Sequence, residues 1–168
     1  MSGSEHVFYF VVRHLRWLAR VPGLPQFFDA ILVALTCLFR RRRLAAMQNL
    51  EQAALRLEGI RLKVHRFGGT EFVADRGREL GHLHGHGLLD VAIGREAAVN
   101  LYSSARLRPH HVFPNSKWVS FQMESPDDVP FALELLELAG ACLARGRQSV
   151  GQSVGQSAES ARGAVRAA

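Results

Sequence analysis

The stretch Ile60-Arg61-Leu62-Lys63-Val64-His65-Arg66-Phe67-Gly68-Gly69-Thr70-Glu71-Phe72-Val73-Ala74 decides the fold. Ile60, Leu62 and Val64 alternate with Arg61, Lys63 and His65, the period-two pattern of a strand with one face buried and the other wet. Gly68-Gly69 then offers a turn, and Thr70 to Ala74 reads as a second strand, so the segment predicts a β-hairpin. Before it, Leu44, Met47, Leu50, Ala54 and Leu57 recur at three- and four-residue spacing, which predicts an amphipathic helix stopped near Gly59.

After the hairpin, Asp75 to Gly77 marks another turn, and Glu79 to His84 and Leu88 to Ile93 read as two extended pieces joined through Gly85 and Gly87. Arg95 to Ser104 reads as helix, and Leu107 to Ser116, with Pro109 and Pro114, as an irregular loop. Trp118 to Met123 is a strand with Val119, Phe121 and Met123 on one face and Trp118, Ser120 and Gln122 on the other. A last helix, capped by Asp127 or Asp128 with Pro130 in its first turn, is expected to bury Phe131, Leu135, Leu138 and Cys142 and to end near Gly146. The fold class is α+β: a small, mostly antiparallel sheet packed by helices over residues 44–145. The repeat Ser149-Val150-Gly151-Gln152-Ser153-Val154-Gly155-Gln156 lies in a Ser/Gly/Gln/Ala tail, 146–168, too poor in apolar residues to order itself.

The chain has 168 residues and a formal charge of +6, but the charge is not evenly spread. Residues 1–43 hold seven arginines against Glu5 and Asp29, a balance of +5, which leaves +1 for everything after them. Nucleic acid is therefore not the expected partner of the domain; an anionic membrane surface at the N-terminal segment is. That segment has two apolar clusters, Val7 to Val12 and Phe27 to Phe39, broken by arginines and Pro22-Gly23-Leu24-Pro25. Three placements compete for it: a helix lying in the membrane interface, a helix packed on the domain's own core, and a membrane span. Arg40 to Arg43 stand where a signal peptide would need small residues, so a cytoplasmic protein at the inner membrane face is expected. Cys37 and Cys142 are far apart and sit in apolar stretches, which reads as two free, buried cysteines in a reducing compartment.

Five of the eight histidines fall at His82, His84, His86, His110 and His111. Alternation puts His82 and His84 on one strand face, and the loop holding His110 and His111 can bring a third imidazole. Such a set can bind iron or zinc, with Glu79 or Asp90 as carboxylate partner. It can equally serve as a metal-free general base, because a free imidazole titrates near neutrality, or it can simply hydrogen-bond a turn. In that last reading His65 and His86 are solvated, whereas His86 joins the face of His82 and His84 if Gly85 does not break the strand. Asp90 either orients an imidazole or sits at the surface; Trp118, among polar neighbours, either walls a pocket for a flat ligand or packs half-exposed. No serine nucleophile elbow, phosphate-cradling loop or dinucleotide fingerprint is present.

The runs Arg78-Glu79-Leu80-Gly81-His82-Leu83-His84-Gly85, Leu89-Asp90, Pro109-His110-His111-Val112-Phe113-Pro114 and Lys117-Trp118-Val119-Ser120-Phe121 together resemble the luciferase-like domain family over about Gly59 to Leu143. That family includes luciferases of bioluminescent fungi and many bacterial proteins. The resemblance implies an oxygenase-like enzyme that oxidises an electron-rich enol, pyrone or phenol with molecular oxygen and no added organic cofactor. The resemblance carries over His82, His84, one of His110 or His111, and Trp118; joined to the spacing reading of the carboxylates, the catalytic candidates are His82, His84, His111 and Glu79. The substrate-binding candidates are Trp118, His110 and Asp90, and the candidate metal ligands are His82, His84 and His111. The competing reading is a membrane-associated binding module in which the histidines are structural.

Overall fold

The hairpin forms where the alternation requires it. In the computed structural model, which describes residues 21–74, 77–102, 106–110 and 113–145, β1 (Arg61–Val64) and β2 (Thr70–Ala74) pair antiparallel with Leu62 opposite Phe72. Gly68 and Gly69 turn the chain between them at φ +93° and +78°, backbone that residues with a side chain rarely adopt. Upstream lie α1 (Leu24–Phe39) and α2 (Arg41–Ala54). Downstream follow β3 (Arg78–Leu83), β4 (Leu88–Val91), α3 (Arg95–Tyr102), β5 (Leu107–Pro109), β6 (Val119–Gln122), a 3-10 turn at Pro126–Asp128, and α4 over 129–145. The six strands form one antiparallel sheet in the order β1-β2-β3-β4-β6-β5, so the class is α+β as expected.

Residues directly opposite each other on paired strands share a face. One row, Leu83, Leu89, Phe121 and Leu107, faces the core, as does the row Phe72, Gly81, Val91 and Val119. On that face Met47 and Leu50 of α2, Ala98 of α3, and Ala132, Leu135, Leu136 and Ala139 of α4 close the core. The row between them, Glu71, His82, Asp90, Ser120 and Arg108, points the other way.

Several local expectations change. Leu107 to Pro109 is a short strand: Leu107 is buried in the core, and Pro109 is tolerated because β5 is the last strand of the sheet, where a missing N–H costs no ladder bond. Val64, expected inside, is 80% exposed at the end of the opposite edge strand. The buried stripe of α4 is Ala132, Leu135, Leu136 and Ala139, while Phe131, Leu138 and Cys142 flank it half-buried. Small alanines at the centre let the helix lie close to the sheet. The start of α4 is secured by Ser125 and Asp128 in a reciprocal capping box, with the Asp128 carboxylate accepting the Ser125 N–H at 3.0 Å. Cys142 donates to the Ile93 carbonyl, but Cys37 is exposed, contrary to its expected burial. The Asp75 end of the second turn and the tail 146–168 lie outside the described residues, apart from Gly77.

The helix α1 packs in an unusual sense. Its buried residues are Asp29, Leu32 and Thr36. Asp29 accepts the Gly85 N–H at 2.8 Å, and the Thr36 hydroxyl donates to the Gly85 carbonyl at 2.9 Å, so one residue of the β3–β4 turn is gripped at both of its backbone polar groups. A side chain at Gly85 would place its Cβ 2.6 Å from Val33 Cγ2 and 2.7 Å from the Asp29 carbonyl, which is why glycine stands there. Burial raises the Asp29 carboxyl above the usual range, against the lowering effect of the Gly85 and Gly69 amides and of His84. Arg43, one of the seven arginines of the basic N-terminal segment, is buried: it donates to the His86 carbonyl at 3.0 Å and ion-pairs with Glu124. Contacts to the sheet domain therefore begin upstream of residue 44. Among the described residues, no helix is long and apolar enough to cross a membrane.

Candidate functional site

Strict alternation would send Glu79 to the core, three residues from His82 and on the wrong face. A β-bulge prevents this: Phe72 pairs with Gly81 but Val73 pairs with Glu79, so Leu80 is the extra residue. Leu80 goes into the core and Glu79 is turned onto the histidine face. There its Oε1 lies 2.6 Å from His82 Nδ1.

The centre of the site is Asp90, whose side chain is completely buried. Its Oδ2 lies 3.1 Å from His84 Nε2, 3.4 Å from His82 Nε2 and 3.7 Å from His110 Nε2. The Ser120 hydroxyl donates to Oδ1. Register explains the convergence, because His82, Asp90 and Ser120 are consecutive members of one row, while His84 projects from the same face of the chain two residues on. The hairpin then closes tightly, with His84 N–H donating to Leu88 and Gly87 N–H to His84. His110 arrives from the chain after β5, and its Nδ1 accepts the Phe113 N–H at 3.1 Å. Trp118 precedes β6 on the same face, with ring centroids 5.4 Å from His82 and 6.1 Å from His110.

His65 and His86 are both buried, which overturns their reading as solvated. His65 stacks on His82 with 4.1 Å between centroids and only 5° between planes, and its Nε2 lies 3.8 Å from Glu79 Oε1. His86 is fully buried at the hairpin tip, its carbonyl taking hydrogen bonds from Arg43 and Gln122. The structure thus brings His82, His84, His110, Glu79, Asp90 and Trp118 together, whereas His111 lies outside the described residues. His65 and Ser120 are additional members. Both stood on the polar side of the alternation already read in the sequence, and that shared side was the available signal.

Electrostatics follow from this packing. Burial alone would depress His82, but hydrogen bonds to Asp90 and Glu79 outweigh it and lift the imidazole to about 9. His82 is therefore an imidazolium at neutral pH, donating to carboxylates at both nitrogens. Burial and the positive His82 ring push His65 down to about 4, so a neutral imidazole is stacked on a charged one. Burial also opposes ionisation of Glu79, yet the His82 hydrogen bond and charge hold its carboxyl below the usual range.

Two sets, His65-Glu79-His82 and His82-Asp90-His110, have ligand atoms within 4.8 Å of one another and are close enough to hold a metal ion. Ligands bonded to zinc at about 2.0–2.1 Å stand roughly 3.3–3.5 Å apart at tetrahedral angles. The 2.6 Å between His82 Nδ1 and Glu79 leaves no room for an ion between them, whereas 3.4 and 3.7 Å in the second set suit one. The protons suit it less: His110 Nδ1 accepts an N–H, which leaves its proton on Nε2, the atom facing Asp90.

An antiparallel α+β domain with a row of histidines and carboxylates on the sheet face opposite its core is thus defined. The family model of the Luciferase domain matches residues 77–139, from the start of β3 into α4. The resemblance drawn from the motifs agrees with this match, and the matched stretch, similar to the Luciferase domain, contains every site residue named above except His65. No curated protein and no solved structure matches the chain.

Proposed function

We propose that the chain is a small oxygenase-like enzyme that takes a proton from an electron-rich enol, hydroxypyrone or phenol and lets the resulting anion react with molecular oxygen. The observation that carries this is the convergence of His84, His82 and His110 on one fully buried carboxylate. Burying a carboxylate and an imidazolium costs several kcal/mol of desolvation per ion, roughly, which apolar side chains would avoid; such clusters are enriched at reactive sites.

In this reading His84 is the base. With Nε2–H turned to Asp90, Nδ1 takes the substrate's O–H proton, and the imidazolium formed is stabilised by the Asp90 charge. The electron pair left on the substrate delocalises to carbon, a C–O bond forms to dioxygen, the oxygen is reduced to the peroxide level and the substrate carbon is oxidised. Trp118 supplies a flat apolar wall beside His82 and His110. His82 and Glu79 fix the edge of the cluster. A metal on His82 and Asp90 would add Lewis acidity at the same point, and no step here requires it.

The test is oxygen uptake with 4-hydroxy-2-pyrones and catechols. Turnover that falls about 10²–10⁴-fold in His84→Ala, with unchanged circular dichroism, is expected for a positioned base. Absence of uptake with every compound, or equal turnover in His84→Ala, would overturn the proposal.

A further inference from the structure

Helix α1 is inside out. Its polar residues Asp29 and Thr36 face the protein, while Phe27, Ile31 and Leu38 are exposed, Phe27 and Leu38 at 64% and 69%. Positions 27, 31, 34 and 38 fall on one side of a 3.6-residue helix, so these residues and Ala34 form a continuous apolar stripe, extended at its end by Phe39 at 74%. The helix cannot roll to hide the stripe, because Asp29 and Thr36 are held on Gly85 and rolling would leave both buried polar groups unpaired. Arg40 and Arg41 follow the stripe and are exposed.

From this we propose that the α1 stripe docks on an anionic lipid surface, the helix lying in the plane of the interface. The occupant is chosen by what adjoins the stripe. Arginines at the end of an outward apolar face complement phosphate head groups, and the segment up to residue 43 carries nearly all the chain's excess charge. At 16 residues α1 is too short to cross a bilayer but suits its surface. The inference is independent of the histidine chemistry.

The experiment is sedimentation of the full-length protein with vesicles of pure phosphatidylcholine and of phosphatidylcholine containing phosphatidylglycerol. Anionic vesicles should bind it at least tenfold more tightly. Ile31→Glu with Leu38→Glu should lose that binding by about tenfold or more, since both positions are exposed and the fold does not depend on them. Arg40→Gln with Arg41→Gln should weaken anionic binding several-fold. A dye on Cys37, which lies on an exposed position of α1, should shift to the blue only with anionic vesicles. Equal binding by the stripe variant and the wild type would overturn the proposal. So would indifference to lipid charge, or a dimer in solution that the stripe variant dissolves without any vesicle binding.

Discussion

One face of the sheet carries Leu83, Leu89 and Phe121 in a row; the neighbouring row on the other face carries His82, Asp90 and Ser120. The same strands thus present two interiors. The first is held by burial and packing, forgiving in detail provided volume is kept. The second is held by hydrogen bonds and charge, and there each group depends on its partner being present. Burial by itself does not distinguish the two, since Asp90 is as inaccessible as Leu89. The chemical demand placed on the neighbours does.

Removing the hub should break the second interior most severely. Asp90→Ala removes the carboxylate that His84 and His110 share and leaves His82 with Glu79 alone, and it is expected to cost about 3–5 kcal/mol in urea unfolding, as for a broken buried ion pair. If it costs less than about 1 kcal/mol, the cluster is not the interdependent unit described. On the apolar face, Leu136→Ala should cost about 2–5 kcal/mol through the cavity it opens. Its signature differs: His82 titration, followed by NMR, should stay where it is, whereas Asp90→Ala should lower it. Gly85→Ala should cost about 1–3 kcal/mol by forcing α1 away from the hairpin tip. Added exposure of the α1 amides to hydrogen exchange would locate that damage.

The dependence on pH is the most diagnostic. His82 is raised to about 9 in the fold, so its contribution is fully present below its unfolded value of about 6.5 and is lost as pH rises through 9. His65 is lowered to about 4, so its contribution is present above about 6.5 and is lost as pH falls toward 4. Stability measured by denaturant midpoint should decline on both limbs. His82→Gln should flatten the alkaline one, and an unchanged limb would mean that another group titrates there.

The apolar interior was readable from sequence because it obeys a period: the alternation Val119, Phe121, Met123 and the helical spacing of Met47, Leu50 and Ala54 each mark residues that are buried. The histidine face was readable only in part. His82, His84 and Trp118 followed from alternation, but Asp90 could be assigned to its face only once its register opposite His82 and Ser120 was known. His65 was misread because solvation is the ordinary fate of a polar residue on an edge strand, and stacking on His82 is a tertiary event. The direction of α1 was not readable either. Its composition invites burial of the phenylalanines, and the hydrogen bonds to Gly85, with Leu32 packed on Leu88, set the opposite sense.

The bulge at Leu80 has a consequence for how the site can change. A strand carries two interleaved messages, odd positions for one face and even positions for the other, and a single inserted residue swaps them for everything on one side of it unless a bulge takes it up. Deleting Leu80 would leave Glu79 paired with Val73 and on the face of His82, because the two would then stand two positions apart, and the loss would fall on the core alone as one missing leucine. The bulge thus isolates the two faces: chain length at this one position can change in the core without displacing the carboxylate that His82 needs.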